Sequence, residues 1–123
     1  KRKQFLKGTE QIAQEGAIQI FKVPNSGMEE VIVGVVGTLQ FDVFQYRMKA
    51  EYGVDLRMQQ LPYEQLRFIM KAPVTDLKDL YLSTDAELLE DYRGRSLLVF
   101  ASQGSINFIL QRNPGLELSE TAQ

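Results

Sequence analysis

Apolar positions alternate and then change period within EEVIVGVVGTLQFDVFQYRMKAEYGVDLRMQQL, residues 30–61. Val31, Val33 and Val35 fall on one side of an extended chain, and Ile32 and Val36 on the other. The spacing therefore predicts a strand over 30–36 that is covered on both faces and central in its sheet. Gly37 and Thr38 break the alternation. Thr38 is placed to accept a hydrogen bond from the free amides of a helix over 39–52, although Phe41 denies it a full capping box. Gly53 is suited to the left-handed conformation that ends a helix, and period two returns at Val54, Leu56 and Met58. Strand, helix and strand read as one βαβ unit, whose crossover joins parallel strands with right-handed sense.

The predicted helix carries two apolar stripes. Leu39, Val43, Tyr46 and Ala50 line the one expected to sit on the sheet, while Phe41, Phe44, Met48 and Tyr52 line the opposite side. The second stripe needs a cover, either another helix of this chain or another domain. Residues 1–15 supply a candidate, a helix with Phe5 and Ile12 on one stripe, Leu6 and Ala13 beside it, and Gly16 at its end. Gly8 weakens that helix by about 1 kcal/mol relative to Ala. Residues 17–23 alternate as a strand, and Pro24-Asn25-Ser26-Gly27 signals a turn leading antiparallel into the central strand.

Further along, 54–60 and 66–72 are expected to pair as a hairpin. Val54, Leu56, Met58, Leu66, Phe68 and Met70 would form its apolar face, and Asp55, Arg57, Gln59, Arg67 and Lys71 its polar face, interrupted by Ile69. A short helix capped by Thr75 or Asp76 is expected within 75–82. A third hairpin is expected over 87–101, turning near Tyr92-Arg93-Gly94, with Leu97 to Phe100 as a buried run. Ser102 is placed to cap a helix that turns Ile106, Ile109 and Leu110 inward and stops before Pro114-Gly115. A last short strand follows at 116–119. In order, strand 30–36, helix 39–52, strands 54–60 and 66–72, helix 103–112 and strand 116–119 spell βαββαβ. This is an α+β fold, the ferredoxin-like split βαβ sandwich, with an extra N-terminal helix and hairpin.

Composition narrows the function classes. The chain has 123 residues, 44% of them hydrophobic, which suits one domain over 1–123 with a single core. It begins with Lys rather than Met, so a longer parent is expected. No apolar run approaches the roughly 18 residues of a membrane span. Net charge is −2, so any nucleic-acid contact must come from a local patch rather than bulk attraction. With no histidine and no cysteine, thiol nucleophiles, histidine-based triads and the usual zinc sites are excluded. Asp76, Asp79, Asp85, Glu87, Glu90 and Asp91 lack calcium-loop spacing and read as solvated surface. Gly34 to Thr38 lies where phosphate loops sit, but it lacks that motif's lysine and glycine frame. No catalytic constellation and no metal or cofactor site is expected.

The positive patch of Arg57, Arg67 and Lys71 is the leading candidate for a binding surface, because paired strands would hold the three on one face against phosphate. The competing possibility is pairing with Asp55 or neighbouring acids, at up to about 1 kcal/mol per exposed pair. Arg47 and Lys49 on the flank of the main helix form a second candidate, and Tyr46 is expected in the core.

Two separated segments add a resemblance. FDVFQYRMKAEYGV at 41–54 and KGTEQIAQEGAIQIF at 7–21, in this order and spacing, resemble the C-terminal domain of the bacterial class II peptide chain release factors, the translational GTPases of the peptide chain release factor 3 family. That resemblance implies a non-catalytic fragment of a cytoplasmic, ribosome-binding factor that promotes departure of the stop-codon-reading release factor. It places GTP or GDP in N-terminal domains outside this segment. The partners it implies are the ribosome, through rRNA and a small-subunit protein contacting Arg57, Arg67, Lys71, Arg47 or Lys49, and the factor's own N-terminal domains. It implies neither membrane nor DNA binding. The rival expectation is a stand-alone ferredoxin-like regulatory module that binds a small ligand, and fold alone does not separate the two.

Overall fold

Residues 2–24 and 31–122 are described by the computed structural model, and they form three helices and six strands in an α+β arrangement. Every described strand pairing is antiparallel. The chain divides into two compact units, Lys1–Phe21 with Met28–Gln60, and Lys22–Gly27 with Leu61–Gln123.

The first unit contains α1 (Arg2–Gln14), β1 (Gln19–Lys22), β2 (Ile32–Gly34) and α2 (Leu39–Tyr52). β1 and β2 pair antiparallel with Gln19 opposite Gly34 and Phe21 opposite Ile32, as the hairpin expectation required. Residues 25–27 of the expected turn lie outside the described residues. The core is built from Ile12 of α1, Ile18, Phe44 and Met48 of α2, and Val54, with Phe5, Ala13, Ile20, Val33 and Val35 packed around it. α2 ends as anticipated, with Gly53 at φ 68° and its N–H bonded to the Lys49 carbonyl. Its start differs. Thr38 lies in the right-handed helical region, where its hydroxyl makes no capping bond, and turn bonds from Gln40 and Phe41 to Gly37 and Thr38 begin the helix instead.

α1 covers the Phe44 and Met48 stripe of α2, as expected, but the stripe expected to sit on the sheet is left uncovered. Phe44 and Met48 are buried at 2% and 0% exposure, whereas Leu39 and Tyr46 stand 69% and 73% exposed. The physical reason is that α1 and the β1–β2 pair lie on the same side of α2, so a single stripe serves both neighbours. Tyr46, expected in the core, is therefore on the surface.

The expected βαβ crossover does not close. β2 pairs with β1 alone among the described pairings, which places it at an edge rather than at the centre. Residues 54–60 join no strand. Their backbone is served by α2 instead: the Val54 N–H donates to the Met48 carbonyl at 3.0 Å, and Gln45 Nε2 donates to the Leu56 carbonyl at 3.1 Å. The strand expected to pair with them, β3 (Gln65–Lys71), has both edges occupied, by β5 (Ser96–Phe100) and β6 (Glu117–Ser119). The expected ferredoxin-like split βαβ order is therefore not formed from these elements, because 54–60 supplies no strand and β2 pairs with β1 rather than beside β3.

The second unit runs β3, a 3-10 turn at Leu77–Asp79, β4 (Ala86–Asp91), β5, α3 (Gln103–Arg112) and β6. Within it the strands lie in the order β4, β5, β3, β6. The hairpin expected over 87–101 is present, with Gly94 at φ 77° in its turn. Asp76 caps the 3-10 turn by accepting from the Lys78 N–H, and Ser102 caps α3 by accepting from the Ser105 N–H. One face of the sheet, carrying Leu98, Phe100, Ile69 and Leu118, packs with Ile106 and Ile109 of α3 and with Leu80, Ala86 and Leu116. Leu110, expected inward, is 36% exposed because the buried stripe of α3 is satisfied by Ile106 and Ile109.

Candidate functional site

The basic residues singled out in the sequence separate into committed and uncommitted cations. Arg47 is committed. Its guanidinium bridges Glu15 at 2.7 Å and Glu51 at 2.8 Å, joining the end of α1 to α2. Hydrogen bonds from Arg47, reinforced by its charge, hold the Glu15 and Glu51 carboxyls below their ordinary range, and the two acids raise Arg47 in return. Arg67 is also engaged: Nη1 donates to its neighbour's carbonyl on Leu66 at 2.8 Å, and the group pairs with Glu120 at 3.7 Å. Its side chain is 18% exposed, because position 67 faces Leu98 on the sheet side that α3 covers.

Lys49 makes a 3.2 Å pair with Asp55 in which both side chains are mostly exposed, an arrangement worth at most about 1 kcal/mol and easily exchanged. Arg57 and Lys71 are exposed and make no ion pair among the described residues. Since 54–60 and β3 do not pair, no common hairpin face holds Arg57 with Arg67 and Lys71.

A second surface feature is apolar. Val36, Leu39, Val43 and Tyr46 are exposed in sequence along the start of α2. Beside them Asp42, Gln45, Tyr46, Lys49, Ala50, Asp55 and Leu56 line an open depression of about 390 Å³. Leu39, Val43 and Tyr46 recur at helical spacing, so these exposed apolar side chains share one side of α2.

The second unit carries a group that sequence spacing only half disclosed. Arg112 lies over the rings of Phe108 and Tyr81, with Cζ 4.7 and 5.2 Å from their centroids. Phe108 and Arg112 are four apart on one helix and could be paired from the sequence. Tyr81 could not, since it is brought there by Asn113, which accepts from the Tyr81 N–H and donates to its carbonyl, both at 2.8 Å. Of the acidic run, Asp76, Asp79 and Asp85 are exposed as expected, Glu87 and Glu90 are half-buried, and Asp91, 7% exposed, organises the β4–β5 turn. Among the described residues no cluster of acidic, histidine or cysteine side chains could hold a metal ion, and no helix is long and apolar enough to cross a membrane.

Comparison with known proteins decides the family. Residues 1–110 match the model described as class II release factor RF3, C-terminal domain. This chain belongs to that family. Relatives named peptide chain release factor 3 are similar along nearly all of it. The Symbiobacterium thermophilum protein is 39% identical over 123 residues, covering 100% of this chain and 23% of its own length. The Listeria welshimeri protein is 37% identical over 119 residues, or 97% of this chain and 22% of its own, and the Gloeobacter violaceus protein 34% over 122 residues, or 99% and 23%. The chain thus spans less than a quarter of the length of these relatives. What the match establishes is the place of the chain, as the C-terminal domain of this release factor family.

Proposed function

We propose that the chain is the C-terminal domain, over 1–123, of a cytoplasmic translational GTPase that promotes departure of the stop-codon-reading release factor, and that it contacts the ribosome and relays domain movement without performing a reaction. The family match over 1–110 carries this reading, together with relatives named for the same factor. The nucleotide would be bound by N-terminal domains of the longer polypeptide. Ribosomal RNA or a small-subunit protein would be met by the uncommitted cations Arg57 and Lys71 first, and by Lys49 after exchange of its Asp55 pair. Arg47 and Arg67 would contribute less, because both already hold carboxylates within the domain. The exposed stripe of Leu39, Val43 and Tyr46 would pack against other domains of the factor.

The test is charge reversal, Arg57→Glu with Lys71→Glu, in the full-length factor. Ribosome affinity should fall, and the slope of its logarithm against log salt should flatten by about one for each phosphate that is no longer neutralised. Unchanged affinity and slope would remove both residues from the interface.

A further inference from the structure

We propose that Tyr81, Phe108 and Arg112 form a docking platform for single-stranded RNA, which takes one phosphate on the guanidinium and stacks an adjacent base on an exposed ring. Three observations converge on it. Arg112 is exposed, yet among the described residues it makes no ion pair or hydrogen bond; its contacts are its faces on the two rings. Its planar fork of N–H donors is therefore oriented and unspent, the state that suits bidentate capture of a phosphate. The rings remain available as well, Tyr81 at 52% and Phe108 at 37% exposure.

The third observation is rigidity. Asn113 is buried at 5% exposure and fastens the backbone of Tyr81 through both its N–H and its carbonyl, while also donating to the Ile109 carbonyl at 2.8 Å. Leu80, next to Tyr81, is anchored in the core with Ile106 and Ile109. The backbone that carries Tyr81 is thus fixed beside α3 before any ligand arrives, so less ordering is left to oppose binding. An acidic peptide would satisfy the guanidinium but leave the two ring surfaces unused. A nucleotide joins an anion to a flat π surface and uses both. The strand must be single, because paired bases hide their faces in the helix stack.

The choice of RNA over DNA rests on the release-factor reading, but the platform itself does not, and the test separates them. The chain is titrated at low salt with a short fluorescein-labelled oligouridylate, read by anisotropy. Saturable binding is expected, with a salt slope of about 0.7 per phosphate held and with a duplex of equal length binding much more weakly. Arg112→Lys, which keeps the charge but loses the planar face, and Tyr81→Leu, which keeps apolar bulk, should each weaken binding about tenfold while the far-ultraviolet spectrum is unchanged. If Arg112→Lys disturbs folding, Tyr81→Leu carries the comparison. The proposal is overturned if the oligouridylate does not bind, if both variants bind it as the parent does, or if a polyglutamate peptide displaces it at equal concentration. Ribosome binding of the full-length factor and its dependence on Arg57 and Lys71 stand or fall separately.

Discussion

Asp91 shows how one buried acid can define a hairpin. Its carboxylate accepts from the N–H groups of Arg93 and Arg95, each at 2.9 Å, and from Arg95 Nε at 2.7 Å. Desolvation pushes the carboxyl up, but the bonds from Arg95 and Arg93 together outweigh it and the net shift is downward. A group whose folded pKa lies below its unfolded value, about 4 for Asp, adds stability that is fully present above that value and is lost as pH falls through the folded one. Asp91→Asn should therefore cost about 1–3 kcal/mol at neutral pH, since hydrogen bonds to charge are removed from a buried site. Its urea midpoint should fall less steeply than the parent's between pH 5 and pH 2. A mutant as acid-sensitive as the parent would show that the turn is held by its backbone alone. The run from Asp76 to Asp91 marks this stretch as acidic, but only the β4–β5 pairing turns its last member inward.

At the scale of elements, helices were the most legible part of the sequence, and partners the least. Gly53, Ser102 and Asp76 act through bonds to residues within four positions, so their roles could be read locally. The alternation of Val54, Leu56 and Met58 could not settle pairing, because periodicity names the apolar side of a segment and says nothing of which backbone lies beside it. Arg67 and Lys71 depend on the same information, so the expected basic face did not assemble. The stripe of α2 was misassigned for a related reason: Phe44 and Val43 are equally apolar in kind, and only the position of α1 distinguishes them. Gly8 explains how α1 comes so close. An added Cβ there would lie 2.7 Å from the Tyr52 ring and 2.8 Å from the sulfur of Met48. Gly8→Ala gains about 1 kcal/mol of helix propensity, but Met48 is fully buried and has little room to yield, so a net loss of about 1–2 kcal/mol is expected. Adding Met48→Ala should relieve part of the clash, and a double-mutant cycle in chemical denaturation would read this as a favourable coupling. A Gly8→Ala protein more stable than the parent would mean that the helices separate without cost.

At the scale of the whole molecule, the exposed stripe on α2 bears on whether this domain works alone. Leu39 and Val43 lie outside the core of their unit, being 69% and 40% exposed, while Phe44 and Met48 supply its packing. Removing their apolar surface should therefore leave the isolated chain within about 0.5 kcal/mol of its parent, as for surface substitutions generally. If the stripe meets another domain of the longer factor, the same change has a different consequence there. Leu39→Ser with Val43→Ser would expose a seam, loosen the packing between domains, and raise amide exchange along α2 relative to the unsubstituted factor. The comparison needs both contexts, measured by hydrogen exchange and by thermal midpoint. Destabilisation confined to the full-length factor supports the interdomain seam. Equal destabilisation in both contexts would make Leu39 and Val43 part of the unit's own packing, and none in either would return the stripe to ordinary surface.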